Sequence, residues 1–478
     1  MVVTKIEHPT VEERRLKGEE GRARSPLDGH AGWAPSGDRP DPVSLLESQN
    51  ATREPDLVTV RHGRMSVSPF TFYRGAAKLM ATDLKDTPSA GLNVQLCGDA
   101  HLSNFGGFAS PERTLLFDLN DFDETLPGPF EYDVKRMAAS FTIAARNNGF
   151  AKSDVKASTL ASVAAYRQAM AQFAQMRTVE IWYARLTEQE ILKGIKSLKS
   201  SERTKQSASR VKEGEKRALK NVEKALTRDS LQALSKLGEV VDGRYRIVSQ
   251  PPVVIPMRDL VPMSGYSSDQ MQEMVHQQFR AYRATLQEDR RHLLEHFEIV
   301  DMARKVVGVG SVGTRAFIVL LQGRDAQDPL FLQVKEATAS VLEDHLPKSK
   351  FKQPGERVVQ GQRLMQAASD IYLGWSKGAE ADRYLYWRQL RDMKGSALVE
   401  AMTPEVLGFY AGLCGWTLAR AHARSGDAVA LAAYLGESDE FDRSITTFAK
   451  EYADQNERDF EAFASAIRSG RLEAIEGI

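Results

Sequence analysis

Cysteine is nearly missing from this chain, with two residues, Cys97 and Cys414, in 478. Two thiols cannot make a disulfide framework, and their scarcity fits a reducing compartment. Net charge is missing too, because Lys+Arg and Asp+Glu both total 64. No overall field therefore draws the chain toward nucleic acid or an anionic membrane. No apolar run reaches bilayer-spanning length, and the opening Met1-Val2-Val3-Thr4-Lys5-Ile6-Glu7-His8 lacks the apolar core of a signal peptide. The expectation is a cytoplasmic protein with no membrane and no nucleic-acid partner. A repeat of fixed period is also lacking, which sets solenoids aside.

What remains is ordinary globular material, 42% hydrophobic and 27% charged, in a chain long enough for more than one lobe and an ample core. Residues 1–40 are charged and rich in Gly and Pro, and read as a mobile tail or a loosely attached arm. Apolar spacing predicts a helix over 70–84, then short strands over 93–96, 105–109 and 114–119. Helical periodicity runs from 132 to about 237, interrupted by a charge-rich stretch at 196–220 that reads as a solvated helix or connector. Residues 245–254 read as a strand that breaks at Pro251 and Pro252, and 268–297 as helical. Strands are expected on both sides of a Gly-rich turn within 305–321, and again over 330–335 and 383–390. Helices are expected over 355–368, 404–424 and 440–466.

Two blocks carry chemistry. The first is Cys97-Gly98-Asp99-Ala100-His101-Leu102-Ser103-Asn104, followed by Asp118-Leu119-Asn120-Asp121-Phe122-Asp123. Phosphoryl transfer needs a carboxylate to orient or deprotonate the attacking group, and side-chain oxygens to hold magnesium. Asp99 and Asn104, five residues apart in one loop, can divide those tasks. Asp121, where the apolar strand gives out, is the favoured metal ligand, with Asp123 as a second and Asp118 as the alternative. His101 is a candidate acid–base group or brace. Asp and Asn also form ordinary turns, so the weight lies on the whole block.

The second block is Gly308-Val309-Gly310-Ser311-Val312-Gly313, followed by Leu332-Gln333-Val334-Lys335. In a dinucleotide fold such glycines open a helix. Here Thr314 to Leu320 reads as a strand, and glycines between strands let backbone amides approach phosphates. Lys335 is expected to grip the nucleotide phosphates, paired with Glu356 on the following helix or with the nearer Glu343. Gln389 and Leu390 are expected to meet the base through their backbone. His422 reads as a packed residue. Asp427 lacks an Asn five positions on and is set aside. Arg61, Arg64 and Arg74, flanking the first helix, are candidates for phosphate or substrate contact and read equally well as solvated or structural charges.

Gly98-Asp99-x-His101-x-x-Asn104 resembles the catalytic loop of aminoglycoside phosphotransferases and choline kinases, and Asp121-Phe122-Asp123 resembles the kinase Asp-Phe-Gly triplet. Gly128 to Val134, with Tyr132-Asp133, resembles the pair that opens a helix in that family, which implies that Asp133 braces the loop. Leu332 to Lys335 is similar to the kinase Val-Ala-Ile-Lys. The blocks stand in the reverse of the usual kinase order. The resemblance therefore implies an α+β, two-lobe, circularly permuted protein-kinase-like fold. Its parts would be a catalytic helical lobe (41–300), a nucleotide-binding β-rich lobe (301–400), and C-terminal helices (401–478) completing the first lobe. It implies ATP and Mg as cofactors and a small-molecule hydroxyl or amine as acceptor. Transfer of AMP to protein, or non-catalytic nucleotide sensing, are the alternatives. Over residues 20–470 the chain also resembles a widespread bacterial family of unassigned function.

Overall fold

The computed structural model describes residues 7–201, 211–213, 216, 220, 230–241, 244–265, 267–380, 382–390, 393 and 395–477. It is a mixed α+β chain. The helix Phe130–Asn147 forms the centre, with every residue from 130 to 145 buried. Helices Lys152–Phe173, Pro404–Ser425 and Glu440–Arg468 pack around it. That enclosure buries even its charged residues, Glu131, Asp133, Lys135 and Arg136. Two of these surrounding helices approach each other closely at Gly415, where a Cβ would stand 2.1 Å from the Ser162 carbonyl oxygen.

A six-stranded antiparallel sheet makes the second layer. Its strands lie in the order Gly374–Lys377, Tyr384–Gln389, Pro329–Glu336, Ala316–Gln322, Glu298–Lys305 and Val254–Pro256. Every residue of the interior strand Pro329–Glu336 is buried, because both faces are covered. Leu330, Leu332 and Val334 pack with Phe279, Tyr282 and Trp387, while Phe331 packs with Leu234, Ile247 and Ile318. This is the period-two alternation of a two-faced strand. The helix Pro354–Met365 follows this strand and packs on the sheet's edge. A smaller sheet orders Gly395–Ser396, Phe105–Ala109, Leu115–Leu119 and Leu186–Thr187, and Asn93–Leu96 pairs antiparallel with Leu126–Pro129.

Most expected elements appear close to their predicted ends. The strand before the glycine turn is Glu298–Lys305, ahead of the expected 305–321. Residues 268–297 hold two helices, Ser268–Arg283 and Glu288–Leu294, and the helix expected over 355–368 stops at Met365. Three further differences have a visible cause. The expected helix over 70–84 is two, Pro69–Gly75 and Ala77–Leu84, because buried Arg61 takes the Gly75 carbonyl at 2.8 Å. The expected strand over 245–254 divides into Arg244–Ile247, in a hairpin with Gly238–Val241, and Val254–Pro256 in the large sheet. Part of 1–40, read as a mobile tail, is instead the docked helix Val11–Arg24. Its buried residues are Gly18 and Gly21, and a Gly18 Cβ would lie 2.2 Å from the Ala430 carbonyl oxygen. A helix that docks through glycines leaves no apolar stripe to read. Arg39 then ties the segment down, bonding Asp83 at 2.7 Å and Asp459 at 2.6 Å. Most of the charge-rich stretch 196–220 lies outside the described residues. Among the described residues no helix is long and apolar enough to cross a membrane.

Candidate functional site

The strand Asn93–Leu96 delivers the acidic loop, and Gly98 turns it with φ +84°. A side chain at Gly98 would meet the Glu124 carbonyl at 2.2 Å, so the turn demands glycine. Asp133 braces it by accepting the Cys97 and Gly98 amides at 2.8 and 3.0 Å. His422 stands behind that carboxylate at 3.3 Å, with its other ring nitrogen on the Tyr166 hydroxyl at 2.8 Å. It is a packed histidine with no solvent exposure.

Within the loop, Arg136 holds Asp99 Oδ1 through Nε at 2.8 Å and Nη2 at 2.7 Å. Oδ2 lies 3.7 Å from His101 Nε2. Burial pushes the Asp99 carboxyl above its ordinary value even though Arg136 and Arg74 pull the other way. Burial, together with Arg74 and Arg136, drives His101 well below its ordinary value, so the imidazole is neutral near pH 7. Its Nδ1 is buried without a hydrogen-bond partner. Asn104 donates its side-chain nitrogen to the Asp99 carbonyl at 2.8 Å, which leaves Oδ1 with acceptor capacity.

The acidic strand end meets the glycine turn. Lys335 Nζ donates to Asp123 Oδ2 at 2.5 Å, and Ser311 Oγ donates to the same oxygen at 3.3 Å. Tyr386 donates to Asp123 Oδ1 at 2.6 Å. Burial would raise Asp123, but Lys335 and Tyr386 outweigh it and hold the carboxyl below its ordinary value. Asp121 moves the other way, raised by burial and by the Asp123 charge; it accepts the Asp123 amide at 3.2 Å. Lys335 is raised because Asp121 and Asp123 outweigh its desolvation.

A cavity of about 350 Å³, within the range of small-molecule sites, lies beside these groups, with Lys335, Tyr386 and Arg136 behind its lining. Asp99, His101, Asn104, Asp121 and Asp123 line it together with Gly308, Gly310 and Ser311. Blocks far apart in the chain thus share one cleft. Glu124 also lines it, and burial lifts its carboxyl to about 7; no sequence pattern distinguished it from its acidic neighbours. A smaller recess of about 130 Å³ beside Trp33 and Arg39 lies apart from these groups.

Other expected residues are not brought there. Lys335 forms no ion pair with Glu356 or Glu343 among the described residues, and Asp123 stands in their place. The helix turns Arg357 toward the acidic segment, bonding the Thr125, Asp123 and Thr338 carbonyls at 2.6, 2.7 and 2.8 Å. Glu343 lies 3.9 Å from Arg357. Gln389 and Leu390 lie outside the cavity lining, and their amides are already bonded, to Asp370 and to the Phe331 carbonyl. Gly313 has φ +89° and packs on Arg53. Asp118 is sealed away against Arg420, which leaves Asp121 and Asp123 at the cavity. Asp427 caps the helix Ala428–Leu435.

Among the described residues no cluster of three or more His, Cys, Asp or Glu is arranged to hold a metal ion. Asp123 has both oxygens engaged, whereas among the described residues Asp121 accepts a single amide. Asp121 and Asn104 thus each keep side-chain oxygen capacity on the cavity lining.

Fold and site together define an α+β protein with a glycine turn and an acidic loop across one cleft. The chain belongs to the family described as uncharacterized protein conserved in bacteria, DUF2252, whose model matches residues 53–466. No curated protein and no solved structure matches it.

Proposed function

We propose that this protein is a magnesium- and ATP-dependent phosphotransferase acting on a small-molecule hydroxyl or amine, built on a circularly permuted kinase-like fold. The observation that carries the proposal is the junction of the two blocks: Lys335 and Ser311 both reach Asp123, at the wall of a cavity that Asp99 and the glycine turn share. Further support comes from the sheet. Taken in chain order, its last five strands run first, second, third, fifth, fourth across the sheet, with a glycine turn after the first, a lysine on the third and a helix before the fourth. That is the arrangement expected of a kinase nucleotide lobe.

In the proposed reaction the acceptor oxygen or nitrogen forms a bond to the terminal phosphorus, and the bond from that phosphorus to the ADP oxygen breaks. Asp99 Oδ2 receives the acceptor's proton, because Arg136 already fixes Oδ1. The raised Asp99 carboxyl makes it a better base than an exposed aspartate. Neutral His101 shapes the loop without supplying a proton. Lys335 and the amides of Gly308 to Gly313 hold the phosphates in line. Asp121 and Asn104 would hold magnesium, whose chemistry is to neutralise charge on the phosphate oxygens.

Calorimetric titration of ATP, with and without magnesium, on wild type and Lys335→Ala tests this. The expected outcome is magnesium-dependent binding that the variant loses. A folded wild type that binds no ATP would remove the nucleotide from the site.

A further inference from the structure

The cavity also carries cationic side chains, and two of them keep an unmet donor. Arg53, Arg74 and Lys78 line it. Lys78 has Asp344 at 3.3 Å. The Arg74 side chain makes no hydrogen bond and no ion pair among the described residues; its guanidinium carbon lies 5.9 Å from the centre of the Phe70 ring. The Nε atoms of Arg74 and Arg53 are both buried without a partner, although Arg53 Nη1 donates to the Val312 carbonyl. Asp99 and Glu400 are the acids whose charge acts on Arg74, and neither is close enough to pair with it.

A guanidinium held in a half-buried position with an unmet donor is unfavourable unless an anion meets it. The fold nevertheless builds a frame for it. Arg61, fully buried, donates to Asn50 Oδ1, Gln49 Oε1 and the Gly75 carbonyl at 2.8, 3.0 and 2.8 Å, fixing the helix break beside Arg74. The same segment grips the glycine turn. The Glu54 amide donates to the Gly313 carbonyl at 2.7 Å, Arg64 donates to the Gly308 carbonyl at 2.6 Å, and the Arg74 carbonyl lies 3.0 Å from the place of a Gly310 Cβ. Cation and glycine turn are thereby held as one unit.

We propose that Arg74, seconded by Arg53, forms a binding site for a phosphate-type oxyanion between the glycine turn at Gly310 and the acidic loop at Asp99. The proposal rests on the phosphotransferase reading only for the anion's source, which is then the terminal phosphate of the nucleotide. Inorganic phosphate and polyphosphate share its chemistry. A planar guanidinium fork suits such an oxyanion better than a lysine does.

The test uses thermal unfolding and calorimetry of the full chain with inorganic phosphate, tripolyphosphate and magnesium-ATP, on wild type, Arg74→Gln and Arg74→Lys. We expect tripolyphosphate to raise the wild-type unfolding midpoint and Arg74→Gln to weaken its binding at least tenfold, with Arg74→Lys intermediate. Without ligand, Arg74→Gln should unfold no lower than wild type, since it removes an unpaired cation; a purely structural arginine would cost stability instead. Tripolyphosphate binding that depends on Arg74, without ATP binding, would uphold the anion site and remove the nucleotide. ATP binding equal in wild type and Arg74→Gln would keep the phosphotransferase proposal and overturn the arginine site. If wild type bound none of the three anions, both would fall.

Discussion

Asp118 and Asp123 lie in the same short stretch, and each meets a cation from a distant part of the chain, but their surroundings differ. Asp118 and Arg420 are each 1% exposed. The carboxylate also accepts the Leu119 and Ala367 amides at 2.9 Å, and Arg420 donates to the Met365 carbonyl at 2.7 Å. Lys335 is 3% exposed, but Asp123 is 27% exposed and lines the cavity. The first pair joins the small sheet to the helix Pro404–Ser425, and nothing from solvent can replace either partner. The second pair can exchange partners with whatever enters the cleft. One strand end thus supplies both a structural brace and a replaceable contact.

The comparison is broken most directly by removing each cation. Arg420→Met leaves a sealed carboxylate unpaired, for which we expect a loss of about 3–5 kcal/mol in chemical denaturation. Lys335→Met leaves Asp123 beside a cavity where water can reach it, and should cost about 1–2 kcal/mol. Equal losses from the two variants would mean that the cavity pair is as sealed as the other.

Protonation sharpens the same contrast, because Glu124 shares the cavity with Asp123 but has no lysine. Burial raises its carboxyl to about 7, although Arg357 and the Val341 amide, bonded at 2.7 Å, pull it down. The ordinary value is 4.5, so the folded state binds this proton more tightly than the unfolded state. Its contribution is therefore fully present below pH 4.5 and is lost as pH rises through about 7. Stability curves of wild type and Glu124→Gln should separate over that interval, with wild type falling by up to about 3 kcal/mol relative to the variant. Parallel curves would show that Glu124 ionises freely.

Local spacing revealed much of this site. Asp99 and Asn104 lie on one turn, Gly308 to Gly313 lie between two strands, and Lys335 ends a strand, so each can be read from its neighbours. The Asp123–Lys335 contact depends on how distant segments pack, which spacing does not record. The same limit separates Glu356 from Arg357: one residue of helical phase, about 100°, decides which faces the acidic segment, and only the packed sheet sets that phase. Arg74 was legible as a candidate, but Arg53 was not, because its value lies in packing beside Gly313. The Val11–Arg24 helix was hidden for the reverse reason, since it docks through glycines and not through an apolar stripe.

The smallest expected effect separates the partners of a single carboxylate. Tyr386 is 1% exposed and donates to Asp123 Oδ1 at 2.6 Å, while Lys335 holds Oδ2 at 2.5 Å. Tyr386→Phe keeps the ring and removes one neutral hydrogen bond. A bond of that kind is worth about 1 kcal/mol, and water from the cavity can partly replace it. Denaturation should therefore show a loss of about 1 kcal/mol or less, below that of Lys335→Met. A loss approaching that of Arg420→Met would mean that Asp123 Oδ1 has no access to water, and that Tyr386 belongs with the sealed pair instead of the exchangeable one.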